Sequence, residues 1–379
     1  MRILYVASDQ SVPGATGGSV HVLEVARGLA ARGHEVHVVI WRQPGQAAEE
    51  RGQGVTWHRV RWWPPHRFFR SRAAASVASI AERLCPDVVM ERYYNFGGEG
   101  VAVAARRGIP ALLEVNSPLV DHAGSPKALL DRALLFQPLR RHRESLCRRA
   151  AVLIAPLPGI VPAFAREKTV TVTWGANVEC FRPGLRRAEM RRAWGVDDDT
   201  VVILFSGSFR PWHGVHVLED AARTLADRED LFFVLAGGGE ADGGRGYRGL
   251  RLGGVAYEDM PGVVAAADIG VAPYDTRRLA QLQLGFYWSP LKIFEYMAAG
   301  LPTVTIPRPP LTDVVRDDQE GLYFREGDAR DLAQTLRRLA GDAGLRRRLG
   351  ESARARVVER YSWARHCEQL EGVLRKVTS

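Results

Sequence analysis

Short apolar runs alternate with amphipathic segments along most of the chain, which is the pattern of repeated strand and helix units. The first unit has a buried strand over 3–7, a glycine-bearing loop, a helix over 19–31 and a second strand over 35–41. This order is the βαβ unit of a parallel sheet. The same pattern predicts further strands over 87–91, 111–115, 152–155 and 169–173, and further helices over 98–107 and 129–149.

The pattern restarts after a turn-rich stretch over 174–184. We therefore predict an α/β fold of two doubly wound, Rossmann-like domains, one over 1–184 and one over 185–361. Ligands of open α/β sheets bind outside the carboxyl ends of strands, so the functional site is expected in the cleft between the domains. The second domain's strands are predicted over 201–206, 231–236, 269–272 and 302–306, and its helices over 215–226, 261–267, 290–299 and from 329 onward.

Composition narrows the classes of function. The 379 residues are 46% hydrophobic and 25% charged, as in ordinary globular proteins. No apolar run approaches the ~18 residues that span a bilayer, and no signal-peptide pattern opens the sequence, so a cytoplasmic protein is expected. The net charge of +9 is carried mostly by arginines that are spread out, without a reader motif, which disfavours nucleic acid as a partner. An anionic small substrate or a membrane surface fits this charge.

The segment over 60–72, VRWWPPHRFFRSR, crowds aromatic residues among arginines. One interpretation is a partly packed surface loop. The other is a peripheral membrane contact or a wall that grips an acceptor, because aromatic and arginine side chains suit both an interfacial anchor and sugar stacking.

Three glycine turns each follow a predicted strand and precede a helix. Backbone amides and the helix dipole favour anions at such places, and a guanidinium there can clasp phosphate oxygens. The alternative is that the glycines only make the turns and that the arginine is a surface residue. The candidate residues in these turns are Gly17, Gly18, Ser208, Arg210, His213 and Gly238.

The stretch over 289–302, SPLKIFEYMAAGLP, has the start and stop signals of a helix. Ser289 can cap it, and a proline follows at the first helical position. The amides of Leu291 and Lys292 are then free for a phosphate, and Glu295 can receive ribose hydroxyls. Standing alone, the stretch also fits an ordinary amphipathic helix.

Seven motifs in order, spread over almost the whole chain, together resemble glycosyltransferase family 4, the retaining nucleotide-sugar glycosyltransferases of GT-B fold. Each motif alone is only indicative. They are GGSVHVLEVARGLAARGHEV (17–36), WGANVECFRP (174–183), GSFRPWHG (207–214), LGGVAYEDMPGVVAAADIGVAPY (252–274), SPLKIFEYMAAGLP (289–302), EGLYFREGD (320–328) and YSW (361–363).

The resemblance implies a donor held by the C-terminal domain, an acceptor bound by the N-terminal domain, and a last helix over 362–379 that packs back on the N-terminal domain. Glu295 matches the second glutamate of the family's E-x7-E motif and would hold the ribose. The amides of Leu291 and Lys292, with Gly18, would contact the diphosphate, and Val255 falls where the base-contacting loop runs.

The donor motifs depart from the family at two places. Tyr287 stands where the first glutamate of E-x7-E is expected. The family's Arg and Lys pair on the diphosphate aligns with Ser208 and His213, which leaves Arg210 as the predicted catalytic cation, with Lys292 nearby on another loop.

The acceptor side departs as well. Asn116 occupies the place of a histidine that many members set close to the transferred sugar. Glu114 is a predicted catalytic residue that orients an acceptor hydroxyl or acts as a base, or else it pairs structurally with Arg92. We also predict that Arg92, Tyr93 and His122 bind the acceptor.

The resemblance implies a retaining transfer of sugar from a nucleoside diphosphate sugar to an acceptor hydroxyl on a glycan, lipid-linked saccharide or small metabolite. Arginine, lysine and helix-end amides can neutralise the leaving diphosphate, so no metal ion or other cofactor is expected. Two alternatives stay open: a GT-B enzyme of other chemistry, such as a nucleotide-sugar epimerase or pseudoglycosyltransferase, and an inactive nucleotide-sugar-binding scaffold.

Overall fold

A computed structural model describes residues 1–14, 16–61, 73–93, 96–122, 124–134, 136–238, 242–243, 246–287 and 290–379. These residues form two compact units. The N-terminal unit comprises Met1–Thr173 with His366–Ser379, and the C-terminal unit comprises Trp174–Arg365. Ser289 and all but the first two residues of the aromatic segment over 60–72 lie outside the described residues.

The N-terminal unit is built on one largely parallel sheet. Its strands are β1 (Arg2–Ala7), β2 (Glu35–Trp41), β3 (Glu49–Gly52), β4 (Val55–Val60), β5 (Val88–Tyr93), β6 (Ala111–Val115), β7 (Val152–Ile154) and β8 (Thr169–Val170). The order across the sheet is β3-β4-β2-β1-β5-β6-β7-β8, and only the β3–β4 pair of these is antiparallel. The central strands are contiguous apolar runs because helices cover both faces of such a sheet.

Five helices of this unit precede its last strand in the described part of the chain. They are α1 (Gly17–Ala31), α2 (Ala73–Leu84), α3 (Glu99–Arg107), α4 (Pro126–Ala133) and α5 (Pro138–Arg149). The Thr16 side chain caps α1 by accepting from Ser19 N at 3.2 Å. Where the sequence predicts one helix over 129–149, the structure has two, because Pro138 starts a new helix.

The C-terminal unit repeats this construction. Its helices are α6 (Arg187–Ala193), α7 (Val215–Thr224), α8 (Met260–Ala265), α9 (Leu291–Ala298), α10 (Leu311–Val314), α11 (Ala329–Gly341) and α12 (Ala343–Arg360). Its strands are β9 (Val201–Ser206), β10 (Leu231–Ala236), β11 (Asp242–Gly243), β12 (Gly249–Gly253), β13 (Ile269–Ala272), β14 (Thr303–Thr305) and β15 (Gly321–Tyr323). The order is β11-β12-β10-β9-β13-β14-β15, with β9 near the centre. Parallel pairing sends the carboxyl ends of β9, β10 and β13 to one edge.

The stretch over 174–184 belongs to the C-terminal unit, whereas the sequence-based division follows it. Phe181 is fully buried there. The guanidinium of Arg354 on α12 donates to the carbonyl oxygens of Phe181 at 2.7 Å and Val178 at 3.0 Å. These hydrogen bonds attach the stretch to the last long helix of that unit.

The last helix, α13 (Trp363–Thr378), supplies most of its length to the N-terminal unit. Cys367, Leu370 and Leu374 are buried. The carboxylate of Glu371 lies 2.5 Å from the Arg32 guanidinium at the end of α1. Within the described residues, no helix combines the length and the apolar character that crossing a membrane requires.

Candidate active site

The loop after β9 brings side chains from two segments to the end of the strand. Gly207 follows β9 with a φ of 146°, in the region that favours glycine. A Cβ on Gly207 would lie 3.0 Å from Lys292 Nζ and 3.3 Å from His213 Nδ1. The absence of a side chain at Gly207 therefore lets both nitrogen-bearing groups approach the strand end.

Lys292 is a buried cation in the first turn of α9, with 8% of its surface exposed. Its ammonium lies 5.0 Å from the ring centroids of both Phe205 and Tyr274. It makes no hydrogen bond or ion pair with the residues that the structure describes. Burial lowers the pKa of Lys292 to about 7, although the nearby Glu295 opposes that shift.

His213 shares this position and is 7% exposed. Its Nδ1 is buried and has no hydrogen-bond partner in the described part of the chain. Burial, together with the charges of Lys292 and Arg210, lowers the pKa of His213 to about 2. The imidazole is therefore neutral at physiological pH, and its buried Nδ1 can form a hydrogen bond with a ligand.

Arg210 completes a group of positive and polar side chains at this strand end. It is exposed and starts the short turn Pro211–His213, and it forms no ion pair with a described residue. Among the described residues no side chain caps the N-terminus of α9, so its first amides also point to a ligand or to water. An anion with several oxygens matches this combination of ammonium, guanidinium and amides.

The N-terminal unit holds a second buried polar cluster, at the ends of β1 and β6. The Tyr5 hydroxyl donates to Glu114 Oε2 at 2.9 Å, and His21 Nε2 lies 3.1 Å from Glu114 Oε1. All three residues are buried. Burial raises the pKa of Glu114 against the opposing charge of Arg92, and burial lowers the pKa of His21 well below its ordinary value.

Arg92 pairs with Asp9 at 2.6 Å rather than with Glu114. Asn116 follows β6, and its side-chain amide donates to the Glu114 carbonyl oxygen at 3.3 Å. Tyr93 is fully buried at the end of β5, and His122 is half-buried in the loop beyond Asn116. The structure thus gathers Glu114, Asn116 and Arg92 around neighbouring strand ends.

Comparison with known protein families identifies the family of this chain. A family model described as "Glycosyl transferase 4-like domain" matches residues 16–171, and one described as "Glycosyl transferases group 1" matches residues 200–342. Together they match more than half of the chain. The chain belongs to the family 4 type of glycosyltransferases.

Curated relatives of this glycosyltransferase include one named for an inositol phosphate and one named for a kanosaminyl group. The D-inositol 3-phosphate glycosyltransferase of Nocardiopsis dassonvillei is 27% identical, over 98% of this chain and 92% of its own. The alpha-D-kanosaminyltransferase of Streptomyces kanamyceticus is 28% identical, over 51% of this chain and 50% of its own.

Solved structures share the fold of this glycosyltransferase. Sucrose-phosphate synthase from Thermosynechococcus elongatus has a TM-score of 0.76 at 19% identity, over 99% of this chain and 98% of its own. Anabaena Alr3699/HepE, solved in complex with UDP and glucose, has a TM-score of 0.73 at 17% identity, over 99% of both chains. The predicted α/β fold of GT-B type is confirmed.

Other predicted donor residues of the glycosyltransferase lie on the same sheet edge. Gly238, with a φ of 56°, packs its backbone against the Phe209 ring. Val255 is half-buried in the loop after β12, and Ser208 is exposed. Tyr287 is buried, and its hydroxyl donates to Gln281 Oε1 at 2.9 Å. A tyrosine at this position provides no carboxylate for the donor sugar.

The glycine turn before α1 belongs to the N-terminal unit. Gly17 and Gly18 open α1, and the Gln10 side chain lies directly against Gly18. Sequence reasoning missed Tyr5, His21 and Asp9 as partners of the acceptor-side residues. His21 does stand within the first of the seven motifs, which was the one available signal.

Proposed function

We propose that this glycosyltransferase moves a sugar from a nucleoside diphosphate sugar to an acceptor hydroxyl, with retention at the anomeric carbon and without a metal ion. The observation that carries the proposal is Lys292, a buried ammonium without an acidic partner within hydrogen-bonding distance among the described residues, at the end of β9. Burying a charge is costly unless a counter-charge arrives. The diphosphate of the donor supplies that counter-charge.

The leaving diphosphate gathers negative charge as the glycosidic bond to it breaks. Lys292, Arg210 and the amides at the start of α9 would stabilise that charge, and the His213 imidazole would donate a further hydrogen bond. These groups would stabilise the negative charge that a metal ion stabilises in other enzymes. Glu295, on the same helix, would bind the ribose hydroxyls.

The acceptor side of the proposal rests on the N-terminal unit. Asn116, His122 and Arg92 would orient the acceptor hydroxyl, and Tyr93 would shape the site behind them. In a front-face attack the bond between the anomeric carbon and the acceptor oxygen forms as the bond to the phosphate oxygen breaks, and the hydroxyl proton passes to that phosphate. Both Glu114 oxygens already have close neighbours in Tyr5 and His21, which favours a positioning role.

Two findings on relatives agree with the proposal, one on the donor and one on the acceptor. The Anabaena neighbour was solved with UDP and glucose, and also with UDP-glucose. The Nocardiopsis relative is named for transfer to an inositol phosphate.

Nucleotide binding tests the proposal directly. Thermal unfolding is measured with UDP, GDP, ADP and dTDP, each with Mg²⁺ and with EDTA. We expect one nucleotide to stabilise the chain equally in both conditions, by about 2.7 kcal/mol at 100 times its Kd. Lys292→Met should weaken that binding by about 10- to 100-fold, the equivalent of one charge-assisted hydrogen bond.

Lys376→Met is the matched control, because Lys376 is exposed on α13, and it should bind as the wild type does. No stabilisation by any nucleotide, or stabilisation only with Mg²⁺, contradicts the proposal. NMR of the product with the matching nucleotide sugar then reads the anomeric configuration, and inversion would contradict retention.

A further inference from the structure

Helix α4 has its polarity reversed relative to an ordinary surface helix. Asp131 is buried, with 3% of its surface exposed, whereas Leu129 and Leu130 are 59% and 47% exposed. A surface helix normally turns its leucines inward and its charges outward. The reversal indicates that the outer face of α4 meets something other than water.

The reversal follows from how α4 is anchored. The Asp131 carboxylate accepts from Leu139 N and Arg140 N, each at 2.8 Å, and so caps the start of α5. It also lies 3.8 Å from the buried Arg143 guanidinium. One turn earlier, Lys127 Nζ lies 5.9 Å from the centroid of the Tyr93 ring. These contacts fix the polar face inward and therefore hold the leucines outward.

The leucines are part of a larger apolar surface. Leu134 is 46% exposed just beyond α4, and Phe136 is 74% exposed before α5. We call Leu129, Leu130, Leu134 and Phe136 the α4 patch. Its members, all within eight positions of the sequence, make up most of the exposed large apolar side chains in the described part of the chain, and a grouping of exposed apolar side chains marks an interaction site.

The surroundings of the α4 patch are basic. Arg132, Arg140 and Arg141 are exposed on α4 and α5. Of the acids on these two helices, Asp131 is buried, and Glu144 lies 3.0 Å from Arg140. Outward-facing leucine and phenylalanine rimmed by arginine is the composition of surfaces that lie in the interface of anionic membranes.

We propose that the α4 patch docks this protein on an anionic lipid membrane, with the apolar side chains in the headgroup region and the arginines on the lipid phosphates. A second copy of the chain fits less well, because facing patches would bring like charges together. Four side chains also fall short of the about 20–30 residues that each partner contributes to a standard protein interface. The α4 patch shares no residue with the segment over 60–72, and this inference does not depend on the proposed function.

Co-sedimentation with vesicles tests the docking. The full-length protein is mixed with vesicles of phosphatidylcholine alone and with vesicles that contain phosphatidylglycerol. We expect binding to the anionic vesicles, weakened by salt, and little binding to phosphatidylcholine. The double variant Leu130→Gln/Phe136→Gln should lower the partition coefficient at least tenfold, and Arg140→Gln/Arg141→Gln should lower it and flatten its salt dependence.

Val358→Gln is the matched control, because Val358 is exposed on α12 in the other unit, and it should bind vesicles as the wild type does. Thermal unfolding confirms that each variant is folded. Three results overturn the proposal: no binding of the wild type to anionic vesicles, equal binding of Leu130→Gln/Phe136→Gln, or a dimer in sedimentation equilibrium that this double variant abolishes.

Discussion

The positive charge of Lys292 has no acidic side chain within hydrogen-bonding distance among the described residues. Its ammonium lies 5.0 Å from the centroids of two aromatic rings. The neighbouring His213 cannot share the charge, because burial together with the charges of Lys292 and Arg210 lowers the pKa of His213 to about 2. The ordinary pKa of lysine, about 10.4, falls to about 7 at this site because of burial. The free protein therefore releases a proton from Lys292 near neutral pH, and an arriving diphosphate restores it.

This coupling predicts how nucleotide affinity depends on pH. Between pH 7.5 and 9, Kd of the wild type should rise by close to tenfold per pH unit, because binding must first protonate Lys292. Ionisation of the nucleotide does not account for this rise in Kd, because a terminal phosphate loses its last proton at about pH 6. Titration calorimetry at pH 8 in two buffers of different ionisation enthalpy should show the uptake of close to one proton.

Lys292→Arg is the comparison that isolates this effect, because arginine keeps its charge throughout the range. Its affinity should be independent of pH from 7.5 to 9. An equal slope for the wild type and Lys292→Arg would show that another group titrates. The unliganded wild type should meanwhile gain stability as pH rises above 7, because its unfolded state retains the lysine proton to about pH 10.

At the scale of elements, β1, α1 and β6 are joined by one buried polar network. Tyr5 and Glu114 lie on strands separated by β5, and His21 reaches them from α1. Such a network specifies how these elements pack, because any unsatisfied member is costly inside the core. Beside this network, the Asn116 side chain donates a hydrogen bond to the Glu114 backbone carbonyl.

Tyr5→Phe tests the network. It removes the hydroxyl that donates to Glu114 and should lower the local unfolding free energy of β1 and β6 by about 1–3 kcal/mol. Hydrogen exchange of the backbone amides in these strands measures the change. Tyr361→Phe removes an exposed hydroxyl, which donates to the Asp313 carbonyl, and should alter stability by no more than about 0.5 kcal/mol. Equal exchange in Tyr5→Phe and the wild type would contradict a stabilising role.

The elements also show what sequence could predict. The strands β2, β6, β9, β10 and β13 match the predicted bounds because each is a run of apolar residues. The strand β3 was missed because all its residues are exposed, so no apolar pattern marks it. In the site, the sequence indicated both the amide and the charge of Lys292 for the diphosphate, but only the packing shows that the ammonium is buried beside His213. Tyr5 and Glu114 are 109 positions apart, a pairing that local patterns do not reveal.

At the scale of the whole molecule, the N-terminal unit is assembled from two separate stretches of chain. Residues of α13 from His366 onward complete it by burying Cys367, Leu370 and Leu374 and by pairing Glu371 with Arg32. At about 1.5–3 kcal/mol for each buried apolar side chain, this contribution is comparable with the stability of an entire domain.

A chain shortened to end at Arg365 should therefore lose the N-terminal unit and keep the C-terminal one. Limited proteolysis should cut throughout Met1–Thr173 and leave Trp174–Arg365 resistant. A chain shortened to end at Lys376 keeps the buried residues of α13 and the Glu371 pair, and it should resist proteolysis as the full chain does. Resistance of residues 1–173 in the shorter variant would show that α13 is dispensable.

The divided N-terminal unit also determines the order in which a ribosome can complete the two units. Translation of Trp174–Arg365 lies between the two stretches of the N-terminal unit, and at about 5–20 residues per second it takes roughly 10–40 seconds. During that interval the nascent N-terminal unit leaves uncovered the face of α1 around Gly28, against which Cys367 later packs. The unit that is made first is thus finished last, and its α1 face stays exposed until α13 has been made.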